Sequence, residues 1–225
     1  CVHGPGSIVG VSAQGGTVTI AHNRFEDLST WRSNSTYNSA GYAIRTSATR
    51  GVVVEHNVIS ELNPFLFTDW PAPDGPGVAP TECTSPAGTM IAIASTNDAT
   101  LTGTANQITS VHGMLLRGMG IGIDVSSTSR VKLQENIIQD ISGGTEYGHD
   151  SCEYRSACAS GIRVANAVTA TIDNNQIATI AGGDATIWYA CLFSYPGTAT
   201  GIGLISVDAS VVTNNIVQEA IGGRG

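Results

Sequence analysis

The stretch RVKLQENIIQDISGG, residues 130–144, decides the fold of this chain. It opens with apolar residues at every second position up to Leu133, as expected of a half-buried strand. Asn136 then interrupts the alternation, and Ile138 and Ile141 follow it, so that neither a strand period of 2 nor a helix period of 3.6 covers the whole run. The run therefore predicts a strand, a turn at the asparagine and the start of a second strand.

The same pattern, N-x-Φ-x-x-Φ with Φ an apolar residue, occurs six times along the chain. Its asparagines are Asn23, Asn57, Asn106, Asn136, Asn175 and Asn215. In five of the six copies a small residue followed by isoleucine stands fourteen positions before the asparagine. Those small residues are Ala43, Ala92, Gly122, Gly161 and Gly201. Each repeat predicts a strand, a turn, a second strand, an asparagine turn and a third short strand.

The asparagines are separated by 34, 49, 30, 39 and 40 residues, yet the stretch from the small residue to the last apolar position keeps its length. Every insertion therefore leaves from one corner of the repeat. This favours an all-β solenoid, a parallel β-helix of about six coils, with its loops at one corner. A β-sandwich also uses short strands and regular turns, but it would not confine insertions to one corner.

The repeats resemble the coils of the right-handed parallel β-helix, the pectin-lyase-like superfamily, from about Ile8 to Ile221. The resemblance implies that the six asparagines stack into a ladder at the turn between two sheets. An asparagine tolerates the left-handed conformation that a sharp turn needs, and its amide can both donate to and accept from the next coil. With about 4.8 Å between coils, six coils give a rod roughly 30 Å long.

The composition argues against two kinds of partner, nucleic acid and the membrane interior. A net charge of −8 argues against nucleic acid, which requires a basic footprint, and the chain has no apolar run of the length that membrane insertion needs. Five cysteines without a CxxC pair, together with a single lysine, favour disulfides and a secreted protein at an extracellular or cell-surface location.

Two disulfide schemes remain open. In one, Cys158 bonds Cys191 and Cys83 bonds Cys152, while a local bridge between Cys152 and Cys158 is the competing choice. The first scheme leaves Cys1 as a thiol for an intermolecular bond.

Stacking turns repeat positions into columns, each of which is a potential site. His22 and His56 are expected in adjacent coils without a third metal ligand, and Asp124 and Arg163 are expected to form a surface ion pair that adds little stability. The position four after each asparagine is expected to form a solvated face: Asp27, Glu61, Ser110, Asp140, Thr179 and Glu219. Enzymes of the superfamily cluster their catalytic aspartates on one sheet, and no column here does so. We therefore predict no catalytic residue, no metal site and no cofactor.

The loops carry most of the aromatic residues, among them Trp31, Trp70, Trp188 and Tyr189. These side chains either form a secondary core under the loops or present a surface for polysaccharide stacking or protein docking. An acidic loop, GTEYGHDSCEYRSAC, is the best position for a catalytic or cation site outside the coils. The single N-glycosylation sequon, at Asn34, falls in the first loop.

Residues 1–225 are interpreted as a single β-helix domain. No amphipathic capping helix precedes the coils, so both ends look uncapped. Either the chain is a segment of a longer β-helix, or its copies stack head to tail. The second reading predicts an extracellular structural protein, a homo-oligomer that forms a filament or surface fibre. The alternatives are a secreted β-helix that binds or cleaves polysaccharide, and a spike domain of a phage or adhesin.

Overall fold

A computed structural model of the chain describes residues 2–5, 8–31, 40–65, 88–113, 118–144, 146–147, 154–155, 157–186, 194–195 and 197–224. Side chains are described for residues 8–29, 40–63, 88–113, 118–144, 157–184 and 197–224. These residues form three parallel sheets, which we call the first, second and third sheet in the order in which each coil visits them.

Twenty-three strands are present among the described residues. The first sheet contains β2 (Ile8–Gln14), β5 (Gly41–Ser47), β8 (Met90–Thr96), β11 (Gly120–Ser126), β16 (Ala159–Ala165) and β21 (Ala199–Ile205). The second contains β3 (Thr17–Ala21), β6 (Gly51–Glu55), β9 (Thr100–Thr104), β12 (Arg130–Gln134), β17 (Thr169–Asp173) and β22 (Ala209–Thr213). The third contains β1 (Val2–Pro5), β4 (Arg24–Trp31), β7 (Val58–Phe65), β10 (Gln107–His112), β13 (Ile137–Ser142), β18 (Gln176–Ala181) and β23 (Ile216–Ile221).

The predicted fold is confirmed as an all-β right-handed parallel β-helix of about six coils. Each strand pairs in parallel with the strand of the same sheet in the next coil. The long connections all run from a third-sheet strand to the next first-sheet strand, so the loops do leave from one corner. Within these connections β14 (Glu146–Tyr147) pairs with β19 (Ala185–Thr186), and β15 (Tyr154–Arg155) pairs with β20 (Ser194–Tyr195). No helix long and apolar enough to cross a bilayer occurs in the described part of the chain.

The core consists of columns of stacked aliphatic side chains. One first-sheet column is Ile44, Ile93, Ile123, Ile162 and Ile202, and one third-sheet column is Phe25, Ile59, Ile108, Ile138, Ile177 and Val217. The inner members of both columns are fully buried. A fully buried side chain of this size stabilises the fold by about 1.5 to 3 kcal/mol, so aligned columns account for much of the cohesion between coils.

The small residues at the start of each repeat make room for the opposite sheet. A Cβ on Gly122 would lie 2.7 Å from Ile138 Cγ2 and 2.6 Å from the Gly161 carbonyl oxygen. Gly10 is the sixth member of this column, because its neighbours pair with the residues that flank Ala43. It stands one residue closer to its asparagine than the other five, since the first corner of its coil is one residue shorter. A search at one fixed offset therefore misses it.

The asparagine ladder is continuous through all six coils. The backbone N–H of Asn106 and its Nδ2 both donate to Asn136 Oδ1, at 3.1 and 3.0 Å. Asn106 Nδ2 also donates to the Val54 carbonyl, at 2.9 Å. Equivalent bonds join each asparagine to the next: Asn23 to Asn57, Asn57 to Asn106, Asn136 to Asn175 and Asn175 to Asn215. The four inner asparagines are fully buried, and their amides are satisfied only by correctly aligned neighbouring coils.

The expectation that the ladder asparagines themselves adopt the left-handed conformation is wrong. Positive φ values of 52–56° belong to the residues just before them: His22, His56, Ala105, Glu135, Asn174 and Asn214. The preceding residue makes the reversal, which leaves the asparagine free to turn its amide inward. Positive φ also occurs at the first corner, at Gly15, Gly16, Ala48, Asn97, Ser127, Asn166 and Ser206.

A third positive-φ position interrupts every main third-sheet strand. It falls on the column four after the asparagine: Asp27, Glu61, Ser110, Asp140, Thr179 and Glu219. These residues were expected to form a solvated face, and all six are exposed or half-buried. They also stand at a backbone kink, where the pairing between neighbouring strands skips one residue.

Replacing Ala105 by glycine should stabilise the protein by about 0.5 to 1 kcal/mol. The left-handed conformation costs an L-residue about 1 to 2 kcal/mol. Glycine avoids this cost, and the free energy gained in this way exceeds the extra conformational entropy that glycine loses on folding. The higher stability would appear as a higher urea concentration at the unfolding midpoint. Ala170→Gly in β17 is the matched control and should lose stability. A loss for both variants would contradict a strained position at Ala105.

Asn136→Ala should lower the free energy of unfolding by about 2 to 5 kcal/mol, because two buried donors of Asn106 lose their acceptor. Asn23→Ala is the control. Asn23 is exposed and closes the ladder at one end, so its loss should cost less than about 1 kcal/mol. Equal losses for the two variants, measured by urea unfolding, would show that burial does not determine the ladder's contribution.

Candidate assembly interface

The coil formed by β21, β22 and β23 has its core columns exposed on one side. Val212 continues the column of Ile172, and Val217 that of Ile177. The valines are 45% and 44% exposed, whereas the two isoleucines are 0% and 1% exposed. No further coil lies over them among the described residues, so side chains of core type form an apolar end face.

The same coil is also apolar at outward positions. Ile205, Val211 and Ile221 are exposed, and they stack on Ala165, Thr171 and Ala181 of the preceding coil. The outward columns of the earlier coils carry mostly polar side chains, such as Ser126, Lys132 and Ser142. Apolar side chains therefore extend from the end face onto the adjoining flank. We call this surface, formed by Ile205, Val211, Val212, Ile216, Val217 and Ile221, the C-terminal face.

The corners give the C-terminal face unsatisfied donors. The residue with positive φ at each corner normally donates its N–H to a carbonyl of the next coil, as Ala48 donates to Thr96. In the last coil the equivalent donors are the N–H groups of Ser206, Asn214 and Asn215, and no described residue accepts from them. Unpaired edge groups of this kind are a template for another strand.

The opposite end presents the matching acceptors. The first coil supplies the carbonyls of Gln14 and Ala21, which occupy the column positions that accept from the corner N–H groups in all later coils. Asn23 Oδ1 occupies the position that accepts from the preceding asparagine in the rest of the ladder. One end therefore offers three donors at the places where the other end offers three acceptors.

The ion pair between Asp124 and Arg163 is more buried than the surface contact expected. Arg163 Nε and Nη2 donate to Asp124 Oδ1 and Oδ2, both at 2.8 Å. The two side chains are only 26% and 14% exposed, and the hydrogen bond to Asp124 raises the pKa of Arg163. A bidentate, half-buried pair holds its geometry better than an exposed one, so it links two first-sheet strands on the flank.

The histidines His22 and His56 stack face to face, with ring centroids 5.0 Å apart and an interplanar angle of 3°. Both occupy the positive-φ corner position in adjacent coils, which explains the parallel rings. Within the described side chains no three His, Cys, Asp or Glu residues come together as metal ligands.

A Ser-His-Asp chain lies on the third sheet, with Asp140 at its backbone kink. The Ser142 hydroxyl lies 2.6 Å from His112 Nδ1, and His112 Nε2 lies 3.5 Å from Asp140 Oδ2. An acyl-transfer site also needs N–H donors aimed at an oxyanion, whereas the amide of Gly143, which follows Ser142, donates to the Ala181 carbonyl. The three side chains form a partly exposed hydrogen-bonded cluster on the surface.

Sequence reasoning missed a buried carboxyl group at the first corner. Asp98 is 1% exposed and accepts 2.7 Å hydrogen bonds from the hydroxyls of Thr46 and Ser95 and from the Thr49 backbone N–H. Thr49, Asp98 and Thr128 each stand eight residues before a ladder asparagine, and all three are buried. A polar residue at that fixed offset was the available signal. The network joins three coils, since Ser95 also bonds Thr128.

Several predicted residues lie outside the described part of the chain: Cys1, Cys83, Cys152, Cys191, Asn34, Trp70, Trp188 and Tyr189. The backbone of Trp31 ends β4, and its side chain is outside the description. Cys158 is disulfide-bonded, and its pairing stays a prediction. The role of the loop aromatic residues in binding polysaccharide also stays a prediction.

Comparisons with protein-family models, with curated proteins and with solved structures found no significant match to this chain. The class of the molecule, a parallel β-solenoid, therefore rests on its own strands and ladder. The resemblance to the pectin-lyase-like superfamily remains a prediction from the repeat.

The pair of Asp124 and Arg163 should show a coupling energy of about 1 to 2 kcal/mol in a double-mutant cycle with Asp124→Ala and Arg163→Ala. Urea unfolding of the four proteins would measure it. The exposed pair of Arg24 and Glu26 is the matched control, for which coupling below about 0.5 kcal/mol is expected. Equal coupling in both pairs would mean that the half-buried geometry adds nothing.

Proposed function

We propose that the protein is an extracellular structural β-helix whose copies associate end to end into a filament or surface fibre. The observation that carries the proposal is the C-terminal face, where core columns and corner donors lie uncovered. The first coil of a second copy would continue those columns and supply acceptors at the matching positions.

The geometry of such contacts determines the form of the assembly. An interface between two different ends is heterologous, and a repeated heterologous contact along an axis does not close on itself. Copies joined in this way form an open filament. A disulfide at Cys158 and the scarcity of lysine agree with an extracellular location.

A charge placed on the C-terminal face should abolish assembly. Val212→Glu with Val217→Glu puts carboxylates on exposed positions of the single copy, where they are solvated, but a second copy would bury them without a partner, at a cost of several kcal/mol. Sedimentation velocity over a concentration series and negative-stain electron microscopy would measure the effect. We expect fibres from the native chain and monomers from the variant.

The matched control is Val168→Glu, since Val168 is 53% exposed at the first corner of the preceding coil, away from the end face. This variant should assemble like the native chain. A native chain that stays monomeric at every concentration would overturn the proposal, and so would a double variant that forms the same fibres.

A further inference from the structure

The three sheets have unequal numbers of strands. The first and second sheets have six strands each, and the third has seven, because β1 adds to the outer edge of β4. β1 pairs with the second half of β4, from Val2 opposite Leu28 to Pro5 opposite Trp31. The first coil was expected to begin at about Ile8 with an open end. Instead, one of its three edges is already occupied.

This inequality creates a conflict in an end-to-end stack. If a second copy continues the first and second sheets, its β2 pairs with β21 and its β3 with β22 at the ordinary distance between coils. The β23 strand of the first copy then falls at the edge of the second copy's β4. That edge accepts one strand, and β1 of the second copy occupies part of it. A rigid junction cannot satisfy all three sheets while β1 stays in place.

From this geometry we infer that β1 is a displaceable plug, which blocks self-association until β23 of another copy replaces it. The inference rests on the proposed end-to-end function and names the strand that regulates it. The ligand of the β4 edge is thus either the chain's own β1 or a second copy's β23, and each excludes the other.

The register shows how displacement can begin. Carried through the sheet, the β23 alignment would set Ile216, Val217 and Gln218 opposite Arg24, Phe25 and Glu26 of β4. β1 pairs with none of these three residues, since its pairing starts at Leu28.

The two strands compete only farther along β4. Ala220 and Ile221 of β23 would align with Leu28 and Ser29, which β1 covers with Val2 and His3. The incoming strand can therefore pair with the free half of β4 first and then remove β1 pair by pair. β23 would form five residue pairs with its neighbour where β1 forms four, so the exchange increases the number of paired residues. The first and second sheets of the two copies would pair at the same time.

The test weakens β1 within the full chain. His3→Pro with Gly4→Pro removes two consecutive N–H groups, one of which must face β4 in a parallel pair. His3→Ala with Gly4→Ala keeps both backbone N–H groups and is the matched control. Critical concentration and lag time of assembly are measured by light scattering and sedimentation, with the β signal in circular dichroism as the check on folding. We expect the proline variant to assemble at about tenfold lower concentration than the control, as loss of one or two competing hydrogen bonds implies.

A second variant, the chain beginning at Ile8, removes the plug entirely and should assemble with no lag. Equal critical concentrations for the proline variant, the alanine control and the Ile8 chain would overturn the plug while leaving end-to-end assembly intact. Weaker assembly of the Ile8 chain would also overturn it, since β1 would then be part of the junction. Absence of assembly from all proteins, the native chain included, would overturn the proposed function itself.

Discussion

Each of the four inner coils turns its second corner at a buried asparagine whose amide finds partners in the two adjacent coils. An unsatisfied buried amide costs several kcal/mol, so the ladder fixes how far each coil is rotated and shifted against the next. The segment between the small residue and the asparagine must then keep its length. Insertions are tolerated only beyond the third sheet, where no ladder passes. The single exception, the shorter first corner of the opening coil, shows that this corner can lose a residue while the ladder stays aligned.

The ladder also gives the rod a direction. The side-chain oxygen of each asparagine accepts from the asparagine of the coil before, and the backbone N–H groups at the corners donate toward the next coil. One end of any such rod therefore carries donors and the other acceptors. A fold in which each coil pairs with the one before has donors and acceptors for a further coil at its ends. In the proposed end-to-end stack, the seventh strand of the third sheet would control access to them.

The sequence predicted the solenoid, its six coils and the corner from which its loops leave, because the pattern of apolar residues shows which side chains face the core. It did not show which residue has a positive φ. That position accepts His22, Ala105, Glu135 and Asn174 alike, and so it carries no composition signal. Likewise β1 contains no asparagine and no apolar alternation, and only its pairing to β4 shows that it belongs to the third sheet.

The unexpected burial of the pair formed by Asp124 and Arg163 has a related cause. The register placed the two residues side by side, which the sequence could give, but the strength of an ion pair depends on how much water its flank excludes. The burial of a position on a sheet surface depends on the side chains of the neighbouring columns. The sequence pattern does not show this burial. The same limit hid Asp98, whose burial follows from the hydroxyls around it.

The junction between two copies must also overcome one unfavourable contact. In the kinked column Ser110 donates to Asp140, and Thr179 donates to Glu219, so hydroxyls alternate with acids in the later coils. Stacking a second copy would instead bring Glu219 beside Asp27. Two exposed carboxylates about 5 Å apart repel by about 1 kcal/mol in water and by a few kcal/mol in a poorly solvated groove. Val212 and Val217 are 45% and 44% exposed, so covering the rest of each contributes about half of the roughly 1.5 to 3 kcal/mol of full burial. This gain is comparable to the repulsion, and pairing of three strand edges adds to it. In the proposed stack the apolar contacts and the strand pairing together would outweigh the repulsion, while the like charges at the rim would keep the association weak enough for a four-residue strand to control it.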